Sequence, residues 1–409
     1  MQFNTLLLHG KSVAHNAHGE ILPPISQVSA FQYESMEELE KVFQHKRMGF
    51  AYTRIGNPTT GALEQKINEL EGGAGAVCTS SGMAAISSTL LAICKSGDEI
   101  IVGSGLYGGT IDLLHDLEKL GIHAVFLDRL TGDEVRKHIN EKTRAVFGEM
   151  ISNPSLKVLD VPELSKVAHE SEIPLIIDAT TVTPFIARPL GLGADIIIHS
   201  MSKYFNGGGN SIGGVIVDGG KFRWNTGKFE TLSEFKKYGN GAFLVRLRTD
   251  IWENLGGCMA PLNAFLCYLG VETLGLRMER ICKNADRLAK ALDELPGVDV
   301  NYLTLPKHPF HRYVDEELNG YGGGILTFRV GSKERAFQII DHLKYAVIAS
   351  NIGDVRTLVI HPASTLYLHS GKEETLAAGV YDDTIRVSVG IEDAEDLIHD
   401  FTEAILFAQ

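Results

Sequence analysis

Two stretches of the chain end in side chains that could act together on an aldehyde cofactor. Leu175–Asp178 is an apolar run closing on an aspartate. Asp195–Lys203 passes through three isoleucines and His199 into Ser200, Met201, Ser202 and Lys203. In open α/β sheets, ligands bind beyond the carboxyl ends of the strands. Two such runs would deliver an acid and an amine to one edge. A lysine can form a Schiff base with an aldehyde, and a carboxylate favours a protonated pyridine nitrogen, which makes the ring a better electron sink. Pyridoxal 5'-phosphate (PLP) needs both. Taken singly, each residue has a plainer reading: a solvated lysine after a strand, and an aspartate capping a strand end.

Other residues add an anion site. In Thr79–Ile86 an apolar run gives way to Ser80, Ser81 and Gly82, and a helix begins at Met83. Free amides at such a start can hold a phosphate, with Ser200 and Ser202 as hydroxyl donors, although Ser80 or Ser81 could equally be a plain N-cap. Tyr52 and Arg54 precede Asn57 and Pro58, a pairing suited to anion recognition or to a solvated arm. Tyr107 lies on a glycine turn, where its ring could stack on an aromatic ligand or simply fill core. Arg386, inside Thr384–Gly390, could clamp a substrate carboxylate with its two-pronged guanidinium, or face solvent from a strand.

The elements that must position these residues alternate. Glu99–Val102, His123–Leu127, Arg144–Phe147, Leu175–Ile177 and Asp195–Ile198 are short apolar runs that predict buried strands. Gly82–Ile93, Thr110–Leu120 and Pro162–His169 carry helical patterns between them. The alternation predicts an α/β domain with a mostly parallel sheet. Residues 1–57 read as irregular and 219–257 as loop-rich. Leu262–Leu292 reads as one long helix weakened by Gly270 and Gly275. Strands over Ile325–Val330 and Ile385–Val389, with helices over Lys333–His342 and Ala394–Ala408, predict a smaller α+β C-terminal domain.

The 409 residues suffice for two or three domains, and a net charge of −13 argues against nucleic acid as the main partner. No signal peptide and no run of about 20 apolar residues predicts secretion or a membrane span. Five cysteines without Cys-x-x-Cys spacing suggest neither a disulfide framework nor a zinc site, and no metal is expected. Reduced thiols in a cytoplasmic protein are the simpler reading.

Taken together, the order and spacing of these motifs resemble the PLP-dependent family of cysteine and methionine metabolism, from His9 to Glu403. The resemblance implies a fold type I, aspartate-aminotransferase-like architecture. Its parts would be an arm over 1–57 contacting a neighbouring subunit, a large PLP-binding domain over 58–256 and an α+β domain over 257–409. By the same resemblance Lys203 is the Schiff-base lysine, Asp178 the partner of the pyridine nitrogen and Tyr107 the stacking ring, while Gly82, Met83, Ser200 and Ser202 hold the phosphate. Asn153 lies near the phenolic oxygen, Thr180 belongs to the cofactor set, and Arg386 with Asn351 binds substrate. Tyr52 and Arg54 reach a neighbour's phosphate, which implies a homo-oligomer, commonly a tetramer of active dimers. Tyr107 and Tyr52 are candidate aids to proton transfer by Lys203. Ala179 departs from the usual Asp-Asn-Thr pattern, and Ser202 replaces a threonine but keeps a hydroxyl.

Within the family, Asn351–Thr365, Gly209–Asp218 and Pro261–Arg280 look like the O-acylhomoserine sulfhydrylase branch rather than the cystathionine enzymes, and Gly109 stands where methionine γ-lyases usually have cysteine. That implies γ-replacement on O-acetyl-L-homoserine by sulfide or a small thiol. Ser200–Lys203 also fits a Ser-x-x-Lys hydrolase motif, but the companion motifs are absent. Gly73 and Gly75 lack the rest of a dinucleotide fingerprint.

Overall fold

A computed structural model describes residues 1–10, 19–44, 46–368 and 371–408. The apolar runs form a seven-stranded sheet: β1 Gly75–Thr79, β2 Glu99–Gly103, β3 His123–Leu127, β4 Thr143–Glu149, β5 Leu175–Asp178, β6 Ile196–Ser200 and β7 Gly214–Asp218. Their order is β1-β7-β6-β5-β4-β2-β3. The run from β6 to β3 is parallel, and β7 alone is antiparallel to its neighbours. Apolar clusters cover both faces, as a parallel sheet requires. That is why Ile176–Ile177 and Ile196–Ile198 are continuous isoleucine runs rather than alternating ones.

β1 lies at one margin, where an unpaired backbone invites foreign strands. Side chains occupy it instead. Glu64 accepts from the Cys78 amide, Trp252 donates to the Cys78 carbonyl and Arg248 donates to the Ala76 carbonyl, each at 2.8 Å. Arg248 also pairs with Glu64 at 2.8 Å. At the opposite margin β3 carries an exposed His123 and a partly exposed Phe126.

A second sheet has the order β10-β11-β12-β9-β8, built from β8 Asp299–Asn301, β9 Ile325–Arg329, β10 Val347–Ile348, β11 Leu358–Ile360 and β12 Thr384–Ser388. All its pairings except β10 with β11 are antiparallel.

Three expectations are corrected. The stretch 262–292 is two helices, Pro261–Glu272 and Leu274–Asp293. A Cβ on Gly270 would meet the Asn206 carbonyl oxygen at 2.3 Å, so this glycine permits close packing inside its helix. Among the described residues, 1–57 hold two helices, Phe3–His9 and Met36–Phe43. The first buries Leu7 in the main core; the second, started by Ser35 accepting from the Glu38 amide, buries nothing. The stretch 219–257 is largely short helical turns, including a 3₁₀ segment over Glu230–Gly241.

Candidate active site

The reversal of β7 fixes the candidate lysine. The chain leaves β6 at Ser200 and returns at Gly214, which pair in register. Lys203 therefore lies in a closed connection. The Met201 amide donates to the Gly213 carbonyl at 2.9 Å, and the Gly213 amide donates to Ser202 Oγ at 3.0 Å. Parallel pairing of β5 with β6 sets Asp178 opposite Ile198. Acid and amine thus reach the same edge of the sheet, at a cavity of about 480 Å³.

Lys203 Nζ donates to Asn351 Oδ1 at 2.6 Å. Burial and the charge of Arg386 lower its pKa, which enlarges the share of neutral, reactive amine. Asp178 is held by its own turn, with Oδ1 accepting from the Thr180 amide at 2.9 Å. Burial raises its pKa, opposed by the bonds from Thr180 and by His199. Thr180 Oγ1 in turn accepts from the Ser200 amide at 2.8 Å, tying the ends of β5 and β6 together.

Ser81 caps the helix Gly82–Ile93 by accepting from the Ala84 amide, so the plain N-cap reading holds. It does not use up the site. Among the described residues the amides of Gly82 and Met83 have no acceptor, and both residues line the cavity. A Cβ on Gly82 would meet Ser200 Cβ at 2.8 Å, so glycine is what lets this helix start against β6. The Ser202 hydroxyl also lines the cavity, but it already accepts from Gly213.

Arg386 projects from the middle of β12 and is 3% exposed. It donates to Asn153 Oδ1 at 3.3 Å and to the Asn351 carbonyl at 3.0 Å. Its Nε is buried without a partner, and it makes no ion pair among the described residues. Burial lowers its pKa to about 10. A buried guanidinium with an orphaned N–H and no anion is costly unless something anionic arrives.

The cavity brings together Gly82, Met83, Tyr107, Asn153, Asp178, Thr180, Ser200, Ser202, Lys203, Asn351 and Arg386. It does not include Tyr52 or Arg54. Tyr52 is 43% exposed with the Arg54 guanidinium over its ring at 5.6 Å, and Arg54 donates to the Glu253 carbonyl. Sequence reasoning missed Glu149, a buried cavity residue that pairs in register with Asp178. The signal was there: an acid two residues past the apolar run that was read as ending at Phe147.

With this geometry in hand, the comparisons decide the family. The model for Cys/Met metabolism PLP-dependent enzymes matches residues 4–406. The chain belongs to that family. An O-acetyl-L-homoserine sulfhydrylase of Leptospira meyeri is 38% identical over 98% of this chain and 96% of its own length. An L-methionine gamma-lyase of Fusobacterium nucleatum subsp. polymorphum is also 38% identical, over 95% of this chain and 94% of its own. A solved Campylobacter jejuni structure, described as an O-acetylhomoserine (thiol)-lyase, superposes with a TM-score of 0.94 at 33% identity. It covers 99% of this chain and 100% of its own, and it carries a pyridoxyl-lysine monophosphate. The family's cofactor fits the residues present. Among the described residues, a half-buried carboxyl that makes no ion pair, two helix-start amides without acceptors and a half-buried lysine answer its ring nitrogen, phosphate and aldehyde.

Proposed function

We propose that this chain catalyses γ-replacement on O-acetyl-L-homoserine: sulfide or methanethiol forms a bond to Cγ as acetate leaves, giving homocysteine or methionine. The observation that carries the reading is Arg386, buried and without an anion, and joined to Lys203 through Asn351. A guanidinium so placed suits the carboxylate of an amino acid whose Cα lies within reach of the lysine.

Bound PLP supplies an electron-accepting ring for the pair released when a Cα–H bond breaks. The rest is the work of side chains. Arg386, flanked by Asn153 and Asn351, holds and orients the substrate carboxylate. Lys203, its amine kept partly neutral, takes the Cα proton and returns it. Asn351, accepting from Nζ, aims that amine. Asp178 would pair with the ring nitrogen of the bound cofactor. Tyr107, 46% exposed at the cavity, offers a ring face to stack on the cofactor and a hydroxyl for proton transfer. Gly82, Met83, Ser200 and Ser202 hold the phosphate, and Thr180 holds Asp178 and Ser200 in place.

Tyr52 and Arg54 lie away from their own chain's cavity, which supports a role on a neighbour's phosphate, and so a homo-oligomer of active dimers, with Tyr52 a second aid to proton transfer there. The division into an arm over 1–57, a cofactor domain over 58–256 and a C-terminal domain over 257–409 agrees with two sheets confined to 75–218 and 299–388. Five unpaired thiols suit a cytoplasmic setting.

The decisive assay offers the PLP-saturated protein O-acetyl-L-homoserine with sulfide, then with cysteine, then methionine or cystathionine alone. Homocysteine and acetate from the first mixture are expected. Turnover of methionine alone, at a higher kcat/KM, would replace this reading with the lyase activity that the equal identity to the Fusobacterium enzyme favours.

A further inference from the structure

Glu149 closes β4 beside Asp178, and the two are direct register partners in the parallel pairing. Paired residues of adjacent parallel strands project to the same side of the sheet. Two carboxyls therefore lie together at the cavity. Asp178 has its task there; nothing above gives one to Glu149.

Its hydrogen bonds suggest one. Glu149 Oε1 accepts the Tyr107 amide at 2.5 Å. The Asn153 backbone amide also acts on the carboxyl, favouring its charged form against burial. Tyr107 is the residue before the helix Gly108–Glu118, and no side chain of its own caps that helix. Asn153 follows the strand end and accepts from Arg386 through Oδ1. One buried carboxyl thus holds the backbone under the aromatic ring and interacts with the backbone of the clamp's partner. It is anchored by a strand whose next pairing partner carries Asp178.

We propose that Glu149 is a positioning residue: its carboxyl sets the Tyr107 ring and, through Asn153, the Arg386 guanidinium in register with Asp178. The proposal rests on the reading of the cavity as a PLP and amino-acid site, and deepens it. The role needs an acceptor oxygen at that place. Charge is secondary, since burial and the neighbouring Asp178 push the carboxyl up to about 8, leaving it largely neutral at pH 7.

The test compares Glu149→Gln, which keeps an acceptor oxygen, with Glu149→Ala, which removes it, in the full-length PLP-saturated protein. Hydrogen exchange is followed at the amides of Tyr107 and Asn153, and kinetics are measured with O-acetyl-L-homoserine and sulfide. In Glu149→Ala, exchange at the Tyr107 amide should speed up about tenfold or more, and KM for the amino acid should rise about tenfold with a smaller fall in kcat. In Glu149→Gln, both should stay within about threefold of wild type. Should Glu149→Ala fail to fold, Glu149→Asp replaces it: the shorter side chain keeps the carboxyl but withdraws the oxygen, so amide protection should fall there too. Unchanged protection in Glu149→Ala or Glu149→Asp would overturn the proposal, as would a Glu149→Gln variant as impaired as Glu149→Ala. Missing sulfhydrylation in wild type, with the expected exchange pattern intact, would remove the reaction and leave Glu149 in its role.

Discussion

The cavity and the segment 20–57 solve opposite problems. Around the cavity, charged groups are buried or half-buried and held by neighbouring side chains and backbone: Arg386 by Asn153 and Asn351, Lys203 by Asn351, Asp178 by Thr180. The segment 20–57 leaves apolar side chains in the open, with Ile21 at 94%, Met36 at 76% and Met48 at 98% exposure. Its order comes from local backbone, with Phe31 donating to Ala51 and Thr53 donating to Ser29, and from Asn57 donating to the Ser26 carbonyl. One region shields polar groups and supplies most of their partners, leaving Arg386 Nε without one among the described residues. The other leaves apolar side chains exposed. Exposed apolar surface of this kind suits an interaction, and the homo-oligomer proposed above would cover it.

Four experiments break or sharpen that contrast. The largest effect belongs to the cavity: Lys203→Ala should lower kcat by at least about a thousandfold and abolish the visible absorbance of lysine-bound cofactor. Retained absorbance in that variant would reject the whole assignment. Next comes Arg386→Leu, which removes the buried clamp and should raise KM for the amino acid about a hundredfold while cofactor binding persists. If the two regions differ as argued, Arg54→Leu should be milder. It should weaken PLP retention about tenfold and leave KM for the amino acid nearly unchanged. Mixing Arg54→Leu with Lys203→Ala chains should then recover activity, because one cavity of the hybrid pair has every group intact. No recovery would return Arg54 to its own chain.

The smallest effect is on stability. The Glu149 carboxyl has a folded pKa of about 8, raised above its ordinary value by burial first and by Asp178 second. Between the two values the folded chain binds more protons than the unfolded one, so this group's contribution is complete at low pH and is lost as pH rises toward 8. The melting temperature of the cofactor-free protein should drop a few degrees more between pH 5 and pH 9 in wild type than in Glu149→Gln. Equal slopes would mean that Glu149 is already ionised at pH 5.

Much of this was legible in the sequence because the residues that matter sit at the ends of buried strands, and buried parallel strands announce themselves as isoleucine runs. β5, β6, the helix from Gly82 and the strand holding Arg386 lie within a residue or two of their expected places. What could not be read depends on pairing across long separations. β1 and β7 are not among the expected strands; their places are fixed by pairing with each other and, for β7, with β6. The break between the helices at 261–293 falls at Thr273, whose backbone leaves the helical region, rather than at Gly270 or Gly275. Glu149 escaped because a single acid after Gly148 has meaning only once β4 is known to lie beside Asp178.

The strapping of β1 bears on how the molecule fails as well as how it works. Because Glu64, Trp252 and Arg248 already occupy the rungs at that margin, a stray strand could dock there only by evicting three side chains at once. A partly unfolded population would instead zip together from the β3 side, where His123 and Phe126 stand open, and a lysine introduced there is the cheaper guard against fibre-like association.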